Sequence, residues 1–93
     1  MIGDSLNCAK FVRYVGPAYP EEARRRRIEG NVRLRVLIAK TGEIRDIQVL
    51  DGDPLLIPSA LTAVRQWRYT PCALNSEPVE EDTVIAVGFN LNQ

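Results

Sequence analysis

The stretch YPEEARRRRIEGNVRLRVLIAKTGEIRDIQVLDGDPLLIPSALTAVRQWRY, residues 19–69, decides the fold. Within it Val32, Leu34, Val36 and Ile38 alternate with Arg33, Arg35, Leu37 and Ala39, the two-residue period of a half-buried strand. Lys40-Thr41-Gly42-Glu43 reads as a tight turn in which Gly42 is free to take a positive φ. Ile44 to Leu50 is the return strand. Ile47 and Val49 should face the core, with Arg45 at the fringe of that face and Asp46 and Gln48 toward water. Asp51-Gly52-Asp53-Pro54 breaks the strand, and Asp53 is a capping candidate. Pro58 fits a helix only in its first turn, so the spacing predicts a regular helix from Ile57 or Pro58 to about Trp67. Its apolar residues Ile57, Ala60, Leu61, Val64 and Trp67 recur at three and four and make one stripe. That stripe should pack on the Val32–Ile38 and Ile47–Val49 face of the hairpin.

Upstream, Pro17 and Pro20 bracket Ala18-Tyr19 and favour extended backbone before each proline. Pro20 suits the first turn of a helix, Glu21 and Glu22 suit its positive end, and Arg24 to Arg27 fall toward its negative end. Gly30 supplies a stop, which predicts a short helix over Pro20–Ile28, with Ala23, Arg27 and Ile28 sharing a thin face. Residues 1–16 read as a partly flexible leader and residues 17–93 as the domain. Within the leader, Phe11 to Val15 either forms a short strand or drapes over the domain surface. Downstream, Arg68 to Leu74 is extended, Asn75-Ser76 is a turn, and Pro78-Val79 restarts the chain. The last run is the longest alternation, with Thr83, Ile85, Val87, Phe89 and Leu91 on one face and Val84, Ala86, Gly88 and Asn90 on the other.

The chain has 93 residues, 45% hydrophobic and 26% charged, which suits one small globular domain with a shallow core. Twelve basic and twelve acidic residues balance to zero net charge, so no polyanionic partner, and no nucleic acid, is implied globally. The chain has no histidine, which removes the commonest general base and the commonest zinc ligand. With two cysteines far apart, neither a metal site nor a cofactor is expected, and the sequence leaves open whether Cys8 and Cys72 pair. A serine nucleophile would lack its histidine base, so the chain is not expected to be an enzyme. No apolar run is long enough to cross a bilayer, and the first ten residues lack the apolar core of a signal peptide. Four consecutive arginines, Arg24 to Arg27, spread around a helix and read first as a solvated surface. A basic face for cell wall or an anionic surface is the alternative.

A hairpin, a helix and a third strand make a two-layer α+β unit: a three-stranded antiparallel sheet of order 2-1-3 with two helices on one face. The terminal strand then lies at an edge, where a row of backbone N–H and C=O groups is open to another chain. From Thr83 to Asn90 there is no charge and no proline to blunt that edge. Either it is covered, by Phe11–Val15 or by a second copy in a homodimer, or it waits for a partner strand.

The joint spacing of Tyr19-Pro20, Gly30, Gly42, Trp67-Arg68-Tyr69 and Pro71 resembles the C-terminal domain of TonB-family energy transducers, over about Pro17 to Leu91. The resemblance implies a periplasmic domain, tethered to the inner membrane by an anchor and proline-rich spacer that this chain lacks. It implies a non-catalytic role, in which the TonB box of a TonB-dependent outer-membrane transporter adds as a strand beside the last strand of the domain. An ExbB–ExbD-type motor would then couple proton-motive force to transport. Carried onto this chain, the docking strand is Val84, Ile85, Ala86, Val87, Gly88, Phe89, Asn90 and Leu91, and Tyr19-Pro20 also touches the transporter. The preference for order 2-1-3 rests partly on the same resemblance. Asn75-Ser76 stands where many relatives have Asn-Gly, and Pro58 interrupts a stretch that is more plainly helical in them.

Overall fold

The computed structural model describes residues 10–91. The chain order is β1 (Lys10–Arg13), α1 (Glu21–Arg25), β2 (Gly30–Ile38), β3 (Ile44–Asp51), α2 (Ile57–Val64), β4 (Arg68–Thr70), β5 (Cys72–Leu74), β6 (Glu77–Val79) and β7 (Glu81–Phe89). β2 lies between β3 and β7 in one antiparallel sheet, the order expected for a hairpin followed by a terminal strand. Val32, Leu34, Val36 and Ile38 are all buried, and they pack with Ala23 of α1, Leu56, and Ala60 and Val64 of α2. Both helices therefore cover one face of the sheet, and the periodicity of β2 is what commits that face to the core.

The hairpin turn has a defined geometry. Ala39 donates its amide to the Glu43 carbonyl, and Gly42 donates to the Ala39 carbonyl. With Gly42 at φ 92, this is a three-residue loop closed by a bulged glycine. Two register shifts then interrupt β3, between the partners of Arg33 and Leu34 and between those of Leu37 and Ile38. Each inserts one extra residue into β3. The expected facing of β3 changes accordingly. Arg45 sits at one bulge and pairs its guanidinium with Glu80. Ile44 joins Ile47 against the core, whereas Val49, expected inside, is 38% exposed. It stands opposite Leu34 on the edge strand of the sheet.

The first helix is shorter than expected. It runs over Glu21–Arg25, and Arg27, not Gly30, ends it by taking the left-handed conformation at φ 57. Ile28 donates to Ala23 and Arg27 donates to Arg24, the paired bonds of a Schellman cap. Arg27 is thereby turned away from the face it was expected to share with Ala23 and Ile28, and is exposed. Arg25 and Arg26 both pair with Glu22, and the Arg24 guanidinium lies over the Tyr19 ring, 5.8 Å from its centre. The arginine run is thus an exposed face with local partners.

Helix α2 begins at Ile57, with Pro58 in its first turn, and ends before Trp67. Asp53 accepts the Leu55 amide on its side chain and the Leu56 and Ile57 amides on its carbonyl. Arg68 donates to the Arg65 and Trp67 carbonyls, so its charge tops the negative end of the helix and not a carboxylate. Trp67, 4% exposed, is a core anchor, and its indole N–H donates to the Val15 carbonyl.

That bond helps to place the N-terminal segment. β1 pairs antiparallel with β4, with Phe11 opposite Tyr69. The Phe11 ring stacks on Tyr69 at 4.6 Å and meets Trp67 edge-on at 5.0 Å. Of the two placements open to Phe11–Val15, a strand forms on β4 as far as Arg13, and Tyr14 and Val15 follow its end. Cys8 lies outside the described residues, and with it any Cys8–Cys72 bridge.

β5 and β6 form a second hairpin around Asn75 and Ser76, at φ 54 and φ 71. Two consecutive positive φ values mark a two-residue hairpin turn, where glycine at the second position carries no Cβ penalty. Ser76→Gly is therefore expected to stabilise the domain by about 1 kcal/mol. Urea denaturation checks it, as an upward shift of the midpoint at unchanged slope.

Candidate functional site

β7 pairs with β2 over nine residues in unbroken register, from Ile38↔Glu81 to Gly30↔Phe89. Its two faces follow the sequence alternation. Val87 and Phe89 are buried and Ile85 packs against the core, while Val84, Ala86 and Gly88 are exposed on the other side. The strand starts earlier than Val84, at Glu81, and stops at Phe89, so Asn90 and Leu91 follow its end.

The backbone decides which groups of β7 are open. Ala39 exchanges its hydrogen bonds with the β3 side of the hairpin, and along a strand the backbone groups of alternate residues point the same way. Leu37, Arg35 and Arg33 thus serve β3, and Ile38, Val36, Leu34 and Val32 serve β7. The partners of the latter are Glu81, Thr83, Ile85 and Val87. The N–H and C=O groups of Val84, Ala86 and Gly88 therefore point away from the sheet, and no strand among the described residues pairs with them. β1, a candidate cover for this edge, sits on β4 instead.

The other edge of the sheet differs in kind. β3 carries two bulges and three charged residues, Arg45, Asp46 and Asp51, the devices that discourage strand addition. β7 has no bulge against β2, and its charges, Glu81 and Asp82, are confined to its first two residues. Arg35 donates to both carboxylate oxygens of Asp82, at 2.9 and 2.7 Å, and Arg33 donates two bonds of the same lengths to the single oxygen Oδ2 of Asp51. Each pair holds its aspartate below the usual carboxylate range, chiefly through the arginine hydrogen bonds. These pairs knit the outer face of the sheet and leave the rest of the β7 edge uncharged.

At the far end of β7 the edge opens into a cleft of about 680 Å³, lined by Pro17, Tyr19, Glu29, Gly30, Asn31, Gly88, Phe89 and Asn90. Tyr19 meets Phe89 edge-on at 5.5 Å and donates its hydroxyl to the Ile28 carbonyl. Desolvation, with the Glu29 carboxylate nearby, raises the Tyr19 phenol above its ordinary pKa, and Arg24 works against that rise. Pro20, at φ −62 and ψ 140, is the extended residue from which α1 starts. Tyr19 is thus brought to Gly88, Phe89 and Asn90, while Val84 to Val87 run on along the strand. Pro17, Glu29 and Asn31 were not among the candidate site residues. Asn31 stands directly opposite Gly88, and a Cβ on Gly88 would come within 3.2 Å of its Oδ1. Only the strand register reveals that pair.

Among the described residues no group of histidine, cysteine or acidic side chains is placed to hold a metal, and no helix is long and apolar enough to cross a membrane.

Comparison with known proteins places this geometry. The family model for the C-terminal region of the Gram-negative bacterial TonB protein matches residues 15–91. Protein TonB of Vibrio cholerae is 37% identical over 79 residues, which cover 83% of this chain and 32% of that protein. Protein tonB2 of Pseudomonas aeruginosa is 31% identical over 86 residues, 90% of this chain and 32% of that protein. The solution NMR structure of the Pseudomonas aeruginosa TonB C-terminal domain superposes with a TM-score of 0.77 at 29% identity, covering 94% of this chain and 90% of that one. The chain spans about a third of the length of the TonB proteins it matches. It belongs to the family of TonB C-terminal domains.

Proposed function

We propose that this domain binds an extended segment of an outer-membrane transporter, the TonB box, by strand addition along β7, as part of a TonB-like energy transducer. The observation that carries the reading is the outer edge of β7, where Val84, Ala86 and Gly88 point their backbone groups away from the sheet with no strand beside them. Strand addition draws its affinity from main-chain hydrogen bonds, so it accepts varied sequences. It also loads many bonds together when force acts along the strand. Both properties suit a domain that serves several transporters and transmits a pull. Family membership supports the wider setting: a periplasmic position, an inner-membrane tether, and an ExbB–ExbD-type motor acting through parts of the protein beyond this chain.

An NMR titration with TonB-box peptides tests it. Amide shifts are expected along residues 84–90 and around Tyr19, with β3 unaffected. Shifts confined to β3, or none with the protein folded and monomeric, would overturn the reading. A concentration-independent dimer that ignores the peptides would instead assign the edge to a second copy of the chain.

A further inference from the structure

The cleft at the end of β7 differs chemically from the edge beside it. Along Val84 to Val87 the strand presents apolar side chains and bare backbone, which carry no charge preference. At Gly88 the surface turns polar, with the Asn31 amide beside the glycine and Glu29 and Tyr19 on the cleft wall. Glu22, Asp51, Glu80 and Asp82 each hold an arginine in an ion pair. Glu29 forms no ion pair or hydrogen bond among the described residues, and it is exposed. The Arg24 guanidinium lies over the Tyr19 ring and forms no ion pair with Glu29. The Glu29 charge is nonetheless felt inside the site, because it helps to raise the Tyr19 phenol.

Resting on the strand-addition reading, we propose that this cleft is a specificity pocket for the docked segment and selects a lysine or arginine side chain at the position that passes Gly88. Glu29 supplies the counter-charge and the Asn31 side-chain carbonyl a second acceptor. Gly88 lets the incoming backbone approach closely enough to drop a long side chain into the cleft. The stem of such a side chain would lie along the Tyr19 ring, which lines the cleft and meets Phe89 edge-on and suits the methylenes of a long cation.

The test uses the whole chain and a short peptide of alternating threonine and valine, alone and with one lysine scanned along it, measured by calorimetry. One lysine position is expected to bind about fivefold more tightly than the neutral peptide. Glu29→Gln should remove that gain, so that the lysine and neutral peptides bind alike, and high salt should do the same. If the neutral peptide binds but lysine gains nothing at any position, the pocket is not selective for cations and this inference fails alone. It also fails alone if Glu29→Gln weakens both peptides equally. If no peptide binds, strand addition fails and takes the pocket with it.

Discussion

Ala86→Pro is expected to lower the affinity for a TonB-box peptide at least about a hundredfold while the domain stays folded. The Ala86 N–H points away from β2, so proline there removes a bond that only an incoming strand would use. Its ring would also stand where the incoming backbone must lie, and proline is tolerated on an edge strand with its missing N–H toward solvent. Several main-chain bonds, each worth about 1 kcal/mol net, depend on close approach over this stretch. Losing two or three of them reaches the hundredfold range. Val87→Pro is the contrasting variant. Val87 pairs with Val32 in the β2 ladder and is buried, so proline there should break the sheet and unfold the chain. The sequence alone makes the two positions equivalent; the backbone alternation separates them. Peptide titration together with an amide spectrum of each variant decides the matter. An Ala86→Pro protein that is folded and binds normally would mean that β7 is not the docking edge.

The parts of the fold that rest on short-range periodicity could be read directly from the residues. The β2 alternation, the glycine turn at Gly42 and the stripe of α2 each occupy one continuous window, and each is present as expected. What escaped depends on pairing between distant segments. The two bulges of β3 exist only relative to β2, and nothing in Arg45 or Leu50 announces an extra residue. Gly30 was the obvious helix stop, yet Arg27 accepts the left-handed position because the Ile28 and Arg27 amides reach the Ala23 and Arg24 carbonyls there. The candidate site divided in the same way. The strand and the Tyr19-Pro20 corner were visible separately. The cleft that joins Tyr19 to Gly88 and recruits Glu29 and Asn31 is a product of the β2–β7 register. Phe11–Val15 had two placements open to it, and the aromatic pair Trp67 and Tyr69 settles it by offering ring contacts that the aliphatic edge of β7 does not.

Gly42→Ala is expected to cost about 3 kcal/mol or more, a large part of what holds a domain of this size together. Two independent causes act. Gly42 has φ 92, a conformation that costs an L-residue roughly 1–3 kcal/mol. A Cβ there would also stand 1.9 Å from the Tyr69 carbonyl oxygen, a backbone atom that cannot rotate aside. β4 would have to move away, and the bond from the Tyr69 amide to the Gly42 carbonyl, 2.8 Å long, would go with it. Tyr69 and Trp67 sit at the end of the core and carry the Phe11 stack. The damage should therefore appear as altered tryptophan fluorescence as well as a thermal midpoint lower by about 15 °C. Gly88→Ala is the control. Its Cβ would meet only the movable Asn31 side chain at 3.2 Å, and its φ is not in the left-handed range, so its cost should stay below about 1 kcal/mol. Equal midpoints for Gly42→Ala and the parent chain would mean that the hairpin turn does not rest on β4. The link from the turn through Tyr69 to the N-terminal strand would then be lost.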